Sequence, residues 1–338
     1  MNLKEKTILI TGGAGAIGTR LCKKISKMCK KVIILDNLSS GYKWNLPDCD
    51  NVLFVQGDIT SDVDLRRCFS ENPDIIFHLA AFFANQNSVD YPQKDLNTNG
   101  LGTLKLYEYS CLYGKLDRIV YASSGCSIYG KKPMPFIEEE TDFMNLTTPY
   151  QVTKGLGEIY GNYFFHNQKL PITYARFFNS YGPGEVPGQY RNVIPNFIYW
   201  AKKGMPLPIT GTGEETRDFT FVDDIVSGLI KMATADSKLV EGQAFNIAAG
   251  KEIKVIDLAK MINEMANNQD NIIFKKRRNW DTKPRLLADN KKAEKILNFK
   301  PNKDFREGLK EAFEWFGENW EEIVSSADFN PGFSSAVR

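Results

Sequence analysis

The sequence lacks an excess of charge of either sign, any close pairing of cysteines, and any long apolar run. Its 338 residues carry 43 Lys and Arg against 41 Asp and Glu, a formal net charge of +2, with the two signs interspersed. This balance is not that of a general nucleic-acid binder, so we expect no nucleic-acid partner. The two histidines and six cysteines show no metal-binding spacing such as CxxC. We therefore expect no metal site and free, reduced thiols.

The absence of long apolar stretches also bears on the compartment. No run approaches the roughly 20 residues that cross a bilayer. A strand-like segment at residues 7–10 starts too early to leave room for a signal peptide. We therefore expect a soluble, cytoplasmic protein without a membrane partner. Apolar residues make up 42% and charged residues 25%, which excludes intrinsic disorder, and the length predicts about two domains.

What the sequence does contain is a regular alternation of short apolar runs and helical stretches. The predicted strands are residues 7–11, 32–35, 52–56, 75–79, 119–123 and 172–176. Each is almost continuously apolar, as expected for a strand covered on both faces. The segments between them are long enough for crossover helices, so the pattern predicts an α/β fold with a doubly wound parallel sheet.

The alternation breaks after residue 176. Proline and glycine cluster at residues 182–184, 187–188, 206–208 and 211–213, which indicates loops. A strand-like run at 244–247 follows a helix that begins near Asp223, so we expect the chain to return to the sheet there. We predict one domain from residues 1–180 and 222–250, a smaller discontinuous α/β domain from 181–221 and 251–325, and a tail at 326–338.

A glycine-rich turn follows the first predicted strand. Gly12, Gly15 and Gly18 have GxxGxxG spacing, which lets backbone N–H groups and a helix N-terminus approach a pyrophosphate. Asp36 ends the second predicted strand, where a carboxylate binds ribose hydroxyls and opposes a 2′-phosphate. Together these features predict an NAD site, although the presence of Arg20 keeps NADP as an alternative cofactor.

A tyrosine and a lysine lie four residues apart further along the chain. On a helix, Tyr150 and Lys154 share one face, one turn apart. An ammonium beside a phenol lowers the phenol pKa toward the range of a working base. Such pairs are common on helix surfaces, but together with a dinucleotide motif this one predicts a catalytic base.

In this order the motifs resemble the extended short-chain dehydrogenase/reductases, and within them the NAD-dependent nucleotide-sugar epimerase/dehydratase family. The likeness runs from residue 7 to about 300. It is carried by Gly12, Gly15 and Gly18, Asp36, residues 57–59 and 78–81, Asn99 with 102–103, residues 121–124 and 129–130, Tyr150, Lys154, and residues 176–179 and 217–219. The resemblance implies a Rossmann-type fold, NAD as cofactor and a nucleotide-diphosphate sugar as substrate. It also implies a homodimer through helices at 97–113 and 150–165, and a role in polysaccharide biosynthesis.

The resemblance implies residue roles as well. Tyr150 would be the general base, Lys154 would hold the nicotinamide ribose, and a serine would hydrogen-bond the sugar hydroxyl. Between Ser124 and the following Tyr-Gly pair there is one residue more than similar proteins have between their catalytic serine or threonine and that pair. Ser124 is still the first choice for this serine, and Ser127 is the second. The implied cofactor-binding residues are Gly12, Gly15, Ala16, Ile17, Gly18, Asp36, Asn37, Asp58, Ile59, Leu79, Ala80, Ala81, Asn99, Ser123, Tyr150 and Lys154. The implied substrate-binding residues are Ser124, Asn179, Asn192, Val193, Arg217, Arg278 and Asp281. We interpret His78 as structural.

The residues after Ser124 bear on the reaction. In similar proteins a 4,6-dehydratase has an Asp-Glu pair directly after the catalytic residue, and a uronic acid decarboxylase has a Glu in the same segment. Here Gly125, Cys126 and Ser127 follow instead. This favours a 4-epimerase, with a dehydratase or decarboxylase of the same family as alternatives. A non-catalytic NAD-sensing regulator is a further alternative of another class, disfavoured because Tyr150 and Lys154 are both present.

Overall fold

The computed structural model describes residues 1–269 and 271–327. The strands are β1 (Thr7–Thr11), β2 (Lys31–Asp36), β3 (Val52–Gln56), β4 (Ile75–His78), β5 (Arg118–Ser124), β6 (Ile172–Phe177), β7 (Ser180–Tyr181), β8 (Leu207–Thr210), β9 (Thr216–Asp218), β10 (Thr220–Phe221), β11 (Ala244–Ile247), β12 (Glu252–Lys254) and β13 (Ile272–Lys275). The helices are α1 (Ala16–Ile25), α2 (Asp62–Phe69), α3 (Asn85–Asp90), α4 (Pro92–Asp95), α5 (Thr103–Tyr113), α6 (Gly125–Ile128), α7 (Pro149–Gln168), α8 (Val193–Lys202), α9 (Val222–Thr234), α10 (Ser237–Val240), α11 (Val255–Ala266), α12 (Lys291–Leu297), α13 (Phe305–Glu318) and α14 (Trp320–Ser326).

A seven-stranded sheet forms the centre of the molecule. Its order is β11-β6-β5-β4-β1-β2-β3, and every neighbouring pair is parallel. This confirms the predicted doubly wound α/β fold of Rossmann type. The strand order reverses at β1, between β4 and β2, and in open α/β sheets the crevice at such a point is where ligands bind.

Helices cover both faces of this sheet. Leu21 of α1 and Ile225 of α9 are buried in the core on one face. Leu65 of α2, Tyr107 of α5 and Phe164 of α7 are buried in the core on the other. Since helices cover both faces, successive residues of the inner strands β4 and β5 are all buried, which explains their almost continuous apolar runs in the sequence.

A separate core lies outside the sheet. Trp200 of α8, Leu258 of α11 and Leu309 of α13 are buried in it, together with Leu207 of β8. This second core supports, as a proposal, the division of the chain into two domains predicted from the sequence. Helix α12 departs from that division, because it falls within the predicted second domain yet Ala293 packs into the core of the sheet.

Several elements differ from the sequence expectation. The helix predicted at 97–113 begins with a π-helical turn, Leu96–Gly102, before α5. The helix predicted at 304–322 is divided at Asn319 into α13 and α14. The short pairs β8–β13 and β9–β12 had no clear signal in the sequence. Of the predicted tail, residues 328–338 lie outside the described residues.

Two further observations concern the whole of the described chain. All six cysteines are free thiols. Across residues 1–269 and 271–327, no helix combines the length and the apolar character needed to span a bilayer.

Candidate active site

A cavity of about 770 Å³ opens at the carboxyl ends of the central strands. One wall follows β1, β2, β4 and β5, and the other is built by segments of the second core, including residues near Asn192, Arg217 and Arg278. All the candidate site residues line this cavity except Asn99 and Ser127. Those that line it are Gly12, Gly15, Ala16, Ile17, Gly18, Asp36, Asn37, Asp58, Ile59, Leu79, Ala80, Ala81, Ser123, Ser124, Tyr150, Lys154, Asn179, Asn192, Val193, Arg217, Arg278 and Asp281.

The glycine turn at the cavity is shaped by close backbone approach. Gly12 has a φ of +69°, and a Cβ there would lie 2.6 Å from the backbone nitrogen of Ala80. A Cβ on Gly18 would collide with the carbonyl oxygen of Gly12. Helix α1 begins directly after Gly15, and no side chain of the described residues caps its first N–H groups. The free N–H groups face the cavity wall, which is the arrangement that a pyrophosphate requires.

Backbone N–H groups hold the carboxylate of Asp36 at the cavity. Its carboxylate accepts hydrogen bonds from the N–H of Ala14 at 2.9 Å and of Leu38 at 2.8 Å. Burial raises the pKa of Asp36, and these two hydrogen bonds oppose that rise. Arg20, which left NADP open in the sequence, donates two hydrogen bonds to Asp223 at 2.9 and 2.6 Å and does not line the cavity. The geometry at this position therefore fits NAD.

Helix α7 positions the tyrosine and the lysine. Thr148 caps its N-terminus, Pro149 occupies the first turn, and the N–H of Tyr150 donates to Ser88 Oγ at 3.0 Å. Lys154 Nζ donates to the carbonyl oxygen of Ala122 on β5 at 2.7 Å and lies 5.8 Å from the centre of the Tyr150 ring. The two side chains share a face of the helix, as their spacing predicts.

The pKa of Tyr150 is shifted in the direction opposite to the one expected from Lys154 alone. Burial raises the pKa of Tyr150 above its ordinary value, and the nearby groups of Asp95 and Cys126 raise it further. Burial also lowers the pKa of Lys154 to about 8. The sequence argument considered only the attraction between the two charges, whereas in a buried site the loss of hydration opposes both charged forms.

The two candidate serines lie at the end of β5. The residues directly after Ser124 form α6, a single turn. Ser124 faces the cavity, whereas Ser127 is 1% exposed, lies behind it and donates to Ser124 Oγ at 2.8 Å. Ser124 can therefore meet a bound ligand directly, and Ser127 can act on it only through Ser124.

His78 and Asn99 lie beneath the cavity surface. The ring nitrogens of His78 contact the hydroxyls of Thr11 at 2.7 Å and Thr103 at 2.9 Å, and burial lowers its pKa to about 3. This agrees with a structural histidine. Asn99 was expected at the nicotinamide ribose, but its carboxamide oxygen accepts from the N–H of Phe82 at 2.7 Å. It lies in the π-helical turn, is buried, and supports the cavity wall from behind.

The opposite wall carries several cations. Arg217 donates to both carboxylate oxygens of Asp281 at 3.1 Å, so the acid expected to bind ribose hydroxyls is already paired. Arg278 lies 5.3 Å from the centre of the Trp280 ring, and burial lowers its pKa to about 10. Among the described residues its buried Nε has no hydrogen-bond partner. A partly buried guanidinium with a free donor fits a phosphate ligand.

Sequence reasoning missed several residues that line the cavity. Trp280 donates from its indole N–H to Gln86 Oε1 at 2.7 Å, which joins two segments far apart in the chain. Glu185 also lines the cavity, and burial raises its pKa to about 7. Lys283 lines it as well, although the surrounding segment suggested only an irregular basic stretch. No periodicity or motif in the sequence marked these three.

Metal binding is not indicated. In the part of the chain that the structure describes, no group of three or more His, Cys, Asp or Glu side chains could hold a metal ion.

Comparison with known proteins bears on the cofactor and the reaction. Residues 8–248 match the NAD dependent epimerase/dehydratase family. The chain is 34% identical over 312 residues to the UDP-glucose 4-epimerase of Mycolicibacterium smegmatis, covering 91% of this chain and 97% of that protein. It is 32% identical to the UDP-N-acetyl-alpha-D-glucosaminuronate decarboxylase of Bacillus cytotoxicus, covering 93% and 98%. It is also 32% identical to the UDP-glucuronate 4-epimerase of Thermodesulfobacterium geofontis, covering 94% and 98%.

Solved structures give the same picture. The epimerase Mth375 of Methanothermobacter thermautotrophicus is 53% identical with a TM-score of 0.94, over 96% of both chains. The Bordetella bronchiseptica enzyme WbmF, solved with NAD+ and UDP, is 36% identical with a TM-score of 0.83, over 96% of both chains. NAD is thus the cofactor, whereas the different activities of relatives at nearly equal identity leave the reaction to be argued from the site.

Proposed function

The chain belongs to the NAD-dependent epimerase/dehydratase family, and on that premise we propose that it is a nucleotide-sugar 4-epimerase acting on an NDP-hexose. The observation that carries the proposal is the composition of the segment after Ser124. Gly125, Cys126 and Ser127 place no carboxyl group in this segment. An epimerase needs a single proton-transferring group at C4, whereas elimination of water needs an acid and a base in addition.

The placement of the cavity carboxylates supports this choice. Among the described residues, those lining the cavity are Asp36, Asp58, Glu185, Glu215 and Asp281, none of them within the turn after β5. Asp95 is close enough to influence the pKa of Tyr150, but it is held by hydrogen bonds from Asn99 and Thr153 and does not line the cavity. The described part of the site thus offers no carboxyl group in the turn after β5, where a dehydratase or a decarboxylase would need one.

The proposed mechanism assigns one task to each side chain at the reacting end. Tyr150 removes the proton from the C4 hydroxyl and later returns it. Ser124 holds that oxygen by a hydrogen bond, and Ser127 orients Ser124. Lys154, held by the carbonyl of Ala122, would hold the nicotinamide ribose and provides positive charge when the phenol ionises. NAD supplies the hydride chemistry when bound.

The rest of the cavity would hold the two ligands. We propose that the N-terminus of α1 and Asp36 bind the pyrophosphate and the adenosine ribose of NAD. Arg217 and Arg278, with Asn179, Asn192 and Val193, would bind the nucleotide diphosphate of the substrate.

A mass measurement tests the proposal. The purified protein is incubated with NAD and a panel of NDP-hexoses, and the products are analysed by chromatography and mass spectrometry. We expect a product with the mass of the substrate, inverted at C4, and no net accumulation of NADH. A product lighter by water, or by carbon dioxide from a uronic acid substrate, would contradict the 4-epimerase.

We further propose a homodimer through α5, the π-helical turn before it, and α7. Large hydrophobic side chains on these segments are at least two-fifths exposed: Leu96, Leu101, Leu112, Tyr113, Val152, Ile159 and Tyr163. Isologous pairing of such a surface is the commonest way to bury it. Light scattering at micromolar concentration should give twice the chain mass, and a monomer mass would count against this interface.

A further inference from the structure

Lys283 is a cation of the cavity that has no acidic partner among the described residues. It lies on the loop between β13 and α12 and lines the cavity. In residues 1–269 and 271–327, the ion pairs of the structure do not include it. The carboxylate of Asp142 acts on it from a distance, but its oxygens already accept hydrogen bonds from Lys131 and Asn145.

The ammonium of Lys283 is partly buried. Within the described residues its one hydrogen bond is a long one, 3.5 Å to the carbonyl oxygen of Cys126. It lies 5.0 Å from the centre of the Phe136 ring, which is itself buried. Burial lowers the pKa of Lys283. A partly desolvated cation with one weak acceptor gains much free energy when an anion enters beside it.

The position of Lys283 identifies which part of a substrate would meet it. Cys126 follows Ser124 by two residues and is close enough to Tyr150 to raise the pKa of its phenol. Lys283 therefore stands at the end of the cavity where the sugar reacts. The other substrate-side cations are differently engaged, since Arg217 pairs with Asp281 and Arg278 lies against Trp280.

We propose that Lys283 is a specificity residue for a sugar carboxylate, and that the preferred substrate is a nucleotide-linked hexuronic acid. C6 of a hexose is attached to C5, next to C4, so a group beside the C4 site can reach a C6 carboxylate. This inference rests on the proposed function, because it takes C4 as the reacting carbon. A fixed ion pair holds the carboxylate in its ionised form while C4 is oxidised and reduced.

Binding measurements with three probes test the inference. UDP-glucuronate, UDP-glucose and UDP are titrated by calorimetry into the NAD-loaded wild type and into Lys283→Met, Lys283→Arg and Lys276→Met. Lys276 is an exposed lysine on the same loop that does not line the cavity, and it serves as the control. A charge-assisted hydrogen bond predicts about 10- to 100-fold tighter binding of the glucuronate than of the glucose compound.

We expect Lys283→Met to abolish this preference while leaving UDP binding unchanged, Lys283→Arg to retain part of it, and Lys276→Met to retain all of it. The inference is overturned if the wild type shows no preference for the acid. It is also overturned if Lys283→Met weakens UDP binding by the same factor, since Lys283 would then contact the diphosphate. If Lys283→Met does not fold, the inference is tested by comparing Lys283→Arg with Lys276→Met. The quantity compared is the ratio of the affinities for UDP-glucuronate and UDP-glucose.

The same samples separate this inference from the proposed function. If the binding preference and its loss are observed but neither sugar is inverted at C4, the 4-epimerase fails and the carboxylate site stands. If C4 inversion occurs with equal efficiency on both sugars, the function stands and the assignment of Lys283 fails.

Discussion

The pair of serines after β5 offers a sharp test of the site. Replacing Ser127 by alanine removes one hydroxyl, whose hydrogen bond of 2.8 Å orients Ser124 Oγ. A neutral hydrogen bond contributes about 0.5–1.5 kcal/mol, so kcat should fall about 2- to 13-fold. Ser124→Ala removes the hydroxyl that faces the cavity. The loss of a donor that stabilises developing charge typically costs about 100- to 1,000-fold.

The double variant distinguishes direct from indirect action. If Ser127 acts only through Ser124, then Ser124→Ala with Ser127→Ala should be no slower than Ser124→Ala by itself. The assay is steady-state formation of the C4 epimer, with kcat and KM determined separately and thermal unfolding used to verify folding. We expect the serine variants to lower kcat and to leave KM little changed. A larger loss from Ser127→Ala than from Ser124→Ala, or additive losses in the double variant, would refute the assignment.

The remaining predictions concern the base, the cofactor and acid stability. Tyr150→Phe should lower turnover by at least about 100-fold, because a positioned general base is lost, while NAD binding measured by calorimetry is retained; near-normal turnover would show that the base lies elsewhere. Wild type should bind NAD+ more tightly than NADP+. Asp36→Asn should reduce the ratio of the two dissociation constants by roughly tenfold, because the carboxylate that repels a 2′-phosphate is gone. Tighter binding of NADP+ than of NAD+ by wild type would contradict this. Burial lowers the pKa of His78 from 6.5 to about 3, so between these values the unfolded chain binds a proton that the folded chain does not, and stability falls as pH falls. Between pH 6.5 and 5, the free energy of unfolding measured in urea should fall by about 2 kcal/mol more in wild type than in His78→Gln. Equal decreases in both proteins would argue against a buried neutral histidine.

The predicted strands and helices were largely correct because their signals are local. The strands at 7–11, 52–56 and 244–247 have the predicted bounds, since short, mostly apolar runs with β-branched or aromatic residues mark strands locally. The glycine turn and the acid at the end of β2 belong to one strand-turn-helix-strand unit, whose geometry follows from a few adjacent residues. The spacing of Tyr150 and Lys154 likewise requires only a helix.

Other features depended on contacts between distant segments. Arg217 meets Asp281, and Lys283 meets Cys126, across 64 and 157 residues. The burial of Asn99 in a π-helical turn had no signal in the residue pattern. Loops outside the central sheet are placed by the packing of several elements at once, so no short motif encodes their position.

By itself, the sequence determined the parallel sheet, the NAD motif and the helical face shared by Tyr150 and Lys154, because each follows from the intrinsic geometry of a strand, a turn or a helix. Only the tertiary structure decided which serine faces the cavity, which cations lack an acidic partner, and in which direction the pKa of Tyr150 is shifted. Those properties depend on burial and on charges brought from remote parts of the chain. The loss of hydration in a closed site is a property of the whole fold and outweighs the pairwise attraction that a local motif suggests.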